Sequence, residues 1–156
     1  MPPSRSSSKI RKAPLVAAHP EIETLSVLPA DAAADPEERL LAVVKGFTQM
    51  VMETELQQRT ILRLSLEPGK AAQELPLRQG RAIGWFEEAL IPLVPELGET
   101  GVHRLAIAVR AAVGIESLVW LTDVAGLPCD QASEVMLWSA QALLHHALAD
   151  GLPGAR

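Results

Sequence analysis

The chain has 156 residues, of which 48% are hydrophobic and 3% aromatic, so it is long and apolar enough to bury the core of one domain. Its net charge of −5 argues against an independent nucleic-acid-binding surface, because the neutralisation of phosphates supplies most of the affinity of such surfaces. The single Cys129 excludes an internal disulfide, and the absence of CxxC or His-rich spacing predicts a cytoplasmic protein without a metal or cofactor.

Residues 1–34 predict a flexible N-terminal arm. The first twelve are basic and rich in Ser, and three prolines lie between residues 14 and 34, which leaves room for at most one short helix at about 21–27. Lys9, Arg11 and Lys12 could contact an anionic partner, but a solvated tail is the simpler interpretation.

A helix is predicted to begin at Asp35, because Asp35 can cap the first turn, Pro36 suits the first helical position and Glu38 can complete a capping box. Apolar side chains then recur at helical spacing in two successive sets. These are Leu40, Val43, Val44, Phe47, Met50 and Val51, and then Leu56, Ile61, Leu62, Leu64 and Leu66. Whether residues 36–66 form one helix or two stays open, with 53–55 as the plausible break.

A third helical pattern begins at Leu77, after a loop predicted over residues 67–76. Its apolar side contains Ile83, Phe86 and Leu90, and the prolines at positions 92 and 95 are expected to end it.

The last two helices are predicted at about 101–125 and 130–149, with Thr100 and Asp130 as their caps. The first is apolar on nearly every side and must therefore be covered on every side. Three charged residues argue against a membrane span there, because each would cost about 2.5–3.5 kcal/mol near the bilayer centre. They are Arg110, Glu116 and Asp123.

The short linker between these helices, which contains Gly126 and Pro128, makes them antiparallel neighbours. Both carry more apolar surface than one subunit needs, and small residues allow close approach, so we expect a four-helix interface with a second copy. The expected interface residues are Val119, Leu127, Met136, Ser139, Ala140, Leu143 and Ala147. The predicted domain covers residues 35–149, and residues 150–156 are expected to be a disordered tail.

A ligand cavity between the helices is the second expected feature, because binding pockets combine apolar walls with a few polar anchors. The candidate lining residues are Phe47, Met50, Leu62, Trp85, Phe86, Arg110, Val113, Glu116 and Trp120. For the apolar residues, a plain core role is the alternative. Arg110 and Glu116 interrupt an apolar helix and could face a ligand, a partner subunit or solvent, and the sequence favours none of the three.

Three stretches carry a resemblance to a known family: "LLAVVKGFTQMVMETELQQRTILRLSLEP", "LPLRQGRAIGWFEEAL" and "ESLVWLTDVAGLPCDQASEVMLWSAQALL". Over about residues 36–148 the chain resembles the C-terminal regulatory domain of TetR-family transcriptional repressors. The resemblance implies an all-α bundle that homodimerises through its last two helices and binds a small, largely apolar effector. The DNA-binding head that precedes this domain in the family has no counterpart here, so no direct DNA contact is expected.

No catalytic constellation is visible. Ser117, His103 and Asp123 are present without a nucleophile-elbow motif, and the adjacent His145 and His146 diverge on a helix, so we expect no enzyme activity. The alternative function is that of an interaction protein that pairs with a full-length TetR-like paralogue through residues 116–148.

Overall fold

The computed structural model of the protein describes residues 28, 31–32, 34–67 and 81–154, and this part of the chain is all-α. The short helix expected at 21–27, the basic residues of the arm and the predicted helix start at Leu77 lie outside the described residues. The elements are α1 (Pro36–Glu53), α2 (Glu55–Ser65), α3 (Arg81–Leu90), a 3₁₀ turn (Ile91–Leu93), α4 (Val94–Ala112), α5 (Ile115–Val119), a π turn (Trp120–Val124) and α6 (Cys129–Asp150).

The predicted start of α1 is confirmed. The Asp35 carboxylate accepts a hydrogen bond from the Glu38 backbone N–H at 2.9 Å, and Pro36 opens the helix. Of the apolar set on its face, all are buried except Met50, which is half-buried. The chain between 36 and 66 forms two helices, because α1 ends where the Thr54 hydroxyl donates to the Met50 carbonyl at 2.8 Å.

One side of α1 packs against α3. Pro92 has no N–H, so the Glu88 carbonyl lacks the donor that an uninterrupted helix would supply four residues later. Arg39 of α1 supplies it instead: its Nη2 donates to Glu88 O at 2.9 Å and its Nε to Ala89 O at 3.0 Å. The proline that ends α3 is thereby matched by a side chain from the neighbouring helix.

Another side of α1 packs against α6. The Glu37 carboxylate accepts from Gln141 Nε2 at 2.5 Å and lies 2.8 Å from His145 Nε2. The hydrogen bond with His145 lowers the pKa of Glu37 below its ordinary value, and the bond with Gln141 acts in the same direction. Thr48 lies further along this stripe of α1, where its hydroxyl is buried without a hydrogen-bond partner among the described residues.

The helix predicted at 101–125 is divided into pieces. A short first piece begins at Val94, with Pro95 in its first turn rather than past the end of the preceding helix, and the piece that corresponds to the predicted helix follows the kink at Gly98. Gly98 interrupts it with a φ of 69°, and Thr100 lies inside the element instead of capping it. The chain then breaks at Val113 and Gly114 before α5 and the π turn complete the segment.

The last helix begins at Cys129 directly after Pro128, and the Asp130 side chain makes no capping bond. Gly151 ends it with a φ of 81°. The residues that follow do not leave the domain: Leu152 is half-buried against the core, and Arg104 donates to the Pro153 carbonyl at 3.3 Å. The tail expected at 150–156 is therefore corrected for residues 151–154, which pack back on α4.

The range Ala82–Val124 is long enough, and in its most apolar 18-residue window apolar enough, to cross a membrane by length and composition, with a mean hydropathy of 1.6 in that window. It is, however, interrupted by the 3₁₀ turn, by Gly98 and by Gly114. No uninterrupted piece reaches the roughly 20 residues that a helical span requires, and Leu105, Val109 and Leu118 within it are fully buried.

We expect Gly114→Ala and Gly84→Ala to change stability in opposite directions. Gly114 has a φ of 111°, and a Cβ there would lie 2.5 Å from Arg110 Nη1, so the substitution should lower the free energy of unfolding by roughly 1–3 kcal/mol. Gly84 lies in α3 with open space around it, so its substitution should raise that free energy by about 0.5–1 kcal/mol. Urea unfolding measures both, and a neutral or stabilising Gly114→Ala would contradict the strain at the break.

Candidate functional site

Arg110 occupies the break between α4 and α5. Its Nη1 donates to the Val113 carbonyl at 2.8 Å, and both terminal nitrogens lie 3.3 Å from Glu116 Oε2. Its Cζ lies 5.3 Å from the centroid of the Phe47 ring, within the range of a cation–π contact. With 25% of its side chain exposed, the guanidinium lies at the edge of the core.

The local sequence explains this arrangement. A helix that ends inside a domain leaves carbonyls without donors, and a cation in its last turn satisfies them and complements the helix dipole. Glu116 lies in the first turn of α5, where a carboxylate is also favourable. Gly114, which has no side chain, leaves the space that the guanidinium fills. The sequence left a ligand, a partner subunit and solvent as the alternatives for Arg110 and Glu116. In the structure the two side chains contact each other.

An aromatic cluster lies beside Arg110, between α1 and α3. The Phe47 ring makes edge-to-face contacts with Trp85, at 6.1 Å between centroids and 63° between planes, and with Phe86, at 5.6 Å and 85°. Such pairs contribute about 0.5–1.5 kcal/mol each beyond the burial of their surface. Phe86 is fully buried and Trp85 half-buried, so the cluster extends from the core to its edge.

The predicted lining residues are partly brought together. Phe47, Trp85, Phe86, Arg110 and Glu116 form one connected group. Val113 is fully buried next to it, while Met50 and Leu62 are half-buried at the edge of the core. Phe47, Phe86 and Val113 fill interior space themselves, as core residues do, and a lining role for the group stays a prediction.

Trp120 must be removed from the expected cavity. Its side chain is 59% exposed, and it lies in the π turn on the outside of the domain. A continuous helix over residues 101–125 places Trp120 on a different side of the domain. The break at Gly114 and the wider π turn change the direction of the side chains that follow them.

The predicted interface residues of α6 also need correction. Met136, Ala140 and Ala147 are at most 2% exposed, so they pack inside the subunit and are not available to a partner. Four others are half-buried: Val119, Leu127, Ser139 and Leu143. The small residues Ala140 and Ala147 of α6 allow close contact with other helices of the same chain. They are therefore buried within the subunit and do not lie on its surface.

A different set of apolar side chains faces solvent on two consecutive elements, the π turn and α6. We call it the docking face, and it consists of Trp120, Val124, Val135, Trp138 and Ala142, all exposed. The two indoles are 59% and 68% exposed, and Val124 is 70% exposed. Residues 135, 138 and 142 follow the spacing of one helical stripe, a signal that was available in the sequence.

Next to the docking face, Arg59 of α2 binds the π turn through a group that we call the clasp, namely Arg59, Glu55, Thr122 and Asp123. Arg59 donates to both carboxylate oxygens of Asp123, at 2.6 and 2.8 Å, and through Nε to Glu55 at 2.7 Å. The hydrogen bonds from Arg59 lower the pKa of Asp123 to about 2, and those to Asp123 raise the pKa of Arg59.

No group of three or more His, Cys, Asp and Glu side chains among the described residues could hold a metal ion. His103, His145 and His146 each lie beside one carboxylate. An open cleft of about 510 Å³ between the start of α4 and residues 151–154 is distant in sequence from the predicted cavity and shares no residue with it.

No family model, curated protein or solved structure matches the chain. The resemblance to the TetR family therefore rests on the residues of this chain alone.

We expect the contribution of the clasp to stability to disappear in acid. The pKa of Asp123 is lower in the folded protein than its ordinary value near 3.8, so the contribution is complete above about pH 4 and is lost as the pH falls towards 2. The gap in melting temperature between wild type and Asp123→Asn should close over that range. The exposed Glu99→Gln is the control, and a gap that persists at pH 2 would contradict the pairing.

Proposed function

We propose that this chain is a self-associating, effector-sensing helical domain of a transcriptional regulator, the role that its resemblance to TetR C-terminal domains implies. The observation that carries the proposal is the docking face, because two exposed Trp side chains on adjacent elements are unusual for a surface that only meets water. The all-α architecture of the described residues is compatible with this role.

The size of the docking face supports a protein partner. A Trp side chain buries up to about 250 Å², so exposed fractions of 59% and 68% leave roughly 300 Å² of indole surface uncovered per subunit. A standard interface buries about 800 Å² per partner. The two indoles would thus supply more than a third of it, and Val124, Val135 and Ala142 extend the same surface.

A second copy of the chain is the partner that fits. A two-fold axis brings the same patch of each subunit together, so an apolar patch can be complementary to itself. The α6 helix and the segment from α5 to the π turn would then form four rods across the axis. This retains the predicted four-helix interface but places the outward stripe of α6 at its centre.

The aromatic cluster supports the sensing role and limits the chemistry of the effector. Phe47 and Phe86 pack in the core and Trp85 reaches its edge, while Arg110 and Glu116 place one cation and one anion beside them. A largely apolar compound with one polar or anionic group matches this combination. Trp85 is half-buried, so it is the member of the aromatic cluster that a compound from solvent can contact.

We expect Trp138→Glu to weaken self-association by at least about 30-fold, because a buried Trp at the centre of an interface commonly contributes 2 kcal/mol or more. Sedimentation equilibrium measures the dissociation constant. Ile91→Glu is the matched control, since Ile91 is 57% exposed outside the docking face and its variant should dimerise as the wild type does. A wild-type chain that stays monomeric at its highest soluble concentration would refute self-association.

For the sensing role we expect saturable binding of 1-anilinonaphthalene-8-sulfonate, an aromatic anion of the expected chemistry. Binding is measured by the fluorescence of the dye in the Trp138→Glu variant, so that dye bound at the docking face contributes little to the signal. Trp85→Leu in that background should weaken binding about tenfold, a loss of about 1.4 kcal/mol. The exposed Ile91→Ala should leave it unchanged. Binding that is absent, or that Trp85→Leu does not alter, counts against an effector site at the cluster.

A further inference from the structure

Helix α2 contributes no fully buried residue to the core. Its Leu56 is 76% exposed. Leu62 packs half-buried against the core, and the helix lies along α5. Its connection to a distant part of the sequence includes the two-pronged contact of Arg59 with Asp123, which closes a loop of 64 residues.

The residue that Arg59 holds belongs to the backbone of the docking face. Asp123 lies three residues after Trp120 and directly before Val124, inside the π turn. In that turn the Ala125 N–H bonds the Trp120 carbonyl at 2.9 Å, and the Thr122 hydroxyl donates to the Leu118 carbonyl at 2.8 Å. Such wide turns are less favourable than regular helix and commonly mark functional positions, so an external contact helps to maintain this one.

We propose that the clasp is a coupling device: it holds the π turn, and with it Trp120 and Val124, in the docking orientation only while α2 is packed against the domain. Displacement of α2 would release Asp123, allow the turn to return to regular helix and rotate the two apolar side chains out of register with α6. The proposal names a means of regulating the proposed docking face and therefore rests on the proposed function.

The geometry distinguishes the clasp from an ordinary surface ion pair. Isolated exposed pairs contribute little, because two long side chains must be ordered in water. Here one guanidinium makes three short bonds to two carboxylates and lies 3.4 Å from the Thr122 hydroxyl, and it does so although 30% of the Arg59 side chain and 48% of the Asp123 side chain are exposed. Two-pronged contacts of this kind fix orientation as well as distance.

The test compares Arg59→Gln with Arg63→Gln in the full chain. Arg63 lies one turn later on α2 and is exposed, so its variant makes the same change of charge without touching the clasp. Amide hydrogen exchange is followed in residues 55–65 and, separately, in residues 118–125. We expect Arg59→Gln to accelerate exchange about fivefold or more in both segments, and Arg63→Gln to leave both near wild type.

The double variant Arg59→Asp with Asp123→Arg restores opposite charges and should slow exchange in both segments again. Faster exchange in 55–65 without a change in 118–125 would overturn the coupling, and no change in either would overturn the clasp itself. These readouts do not require a dimer. A monomeric wild type would therefore refute the proposed function while the exchange data still decide the coupling. If the wild type dimerises, Arg59→Gln should also raise the dissociation constant several-fold relative to Arg63→Gln.

Discussion

The contact between Arg110 and the broken end of α4 determines how the rest of the domain is arranged. A chain that stops being helical inside a protein must find donors for its last carbonyls, and Arg110 provides one at Val113 while its charge is offset by Glu116. The same guanidinium lies over Phe47 of α1. One side chain thus connects the end of α4, the start of α5 and the first helix, and so gives the final part of the chain its direction.

The parts of the fold that are decided by residues close together in the sequence could be predicted. The start of α1 follows from Asp35, Pro36 and Glu38, and its buried face follows from apolar spacing, because both are decided within a few turns of chain. The break at Gly114 was not predictable in this way. A glycine within an apolar helical pattern is compatible with an unbroken helix as well as with a break. At Gly114 the chain breaks, and the Arg110 guanidinium lies next to the position that a Cβ would occupy.

The orientation of α6 shows a second limit. Apolar residues surround much of this helix, so periodicity does not define its inner face. The sequence predicts Ala140 and Ala147 on the surface between subunits, but both pack inside, where small side chains allow close contact between helices of one chain. The bulky Trp138 lies outside instead. Small residues indicate close packing without indicating which partner is packed, and that depends on the placement of the other helices.

The segment from Ile115 to Val124 contains two residues of the docking face, Trp120 and Val124. Ten residues are too few to form a stable helix on their own. The segment is held at both ends by arginines from other helices, with Arg110 of α4 on Glu116 and Arg59 of α2 on Asp123. One end adjoins the aromatic cluster and the other adjoins Trp120. A segment positioned at its two ends can transmit a change at either one, because moving one attachment reorients the short rod between them. The segment thus lies between the aromatic cluster, which it meets through Glu116 and Arg110, and the clasp, which holds Asp123 three residues after Trp120.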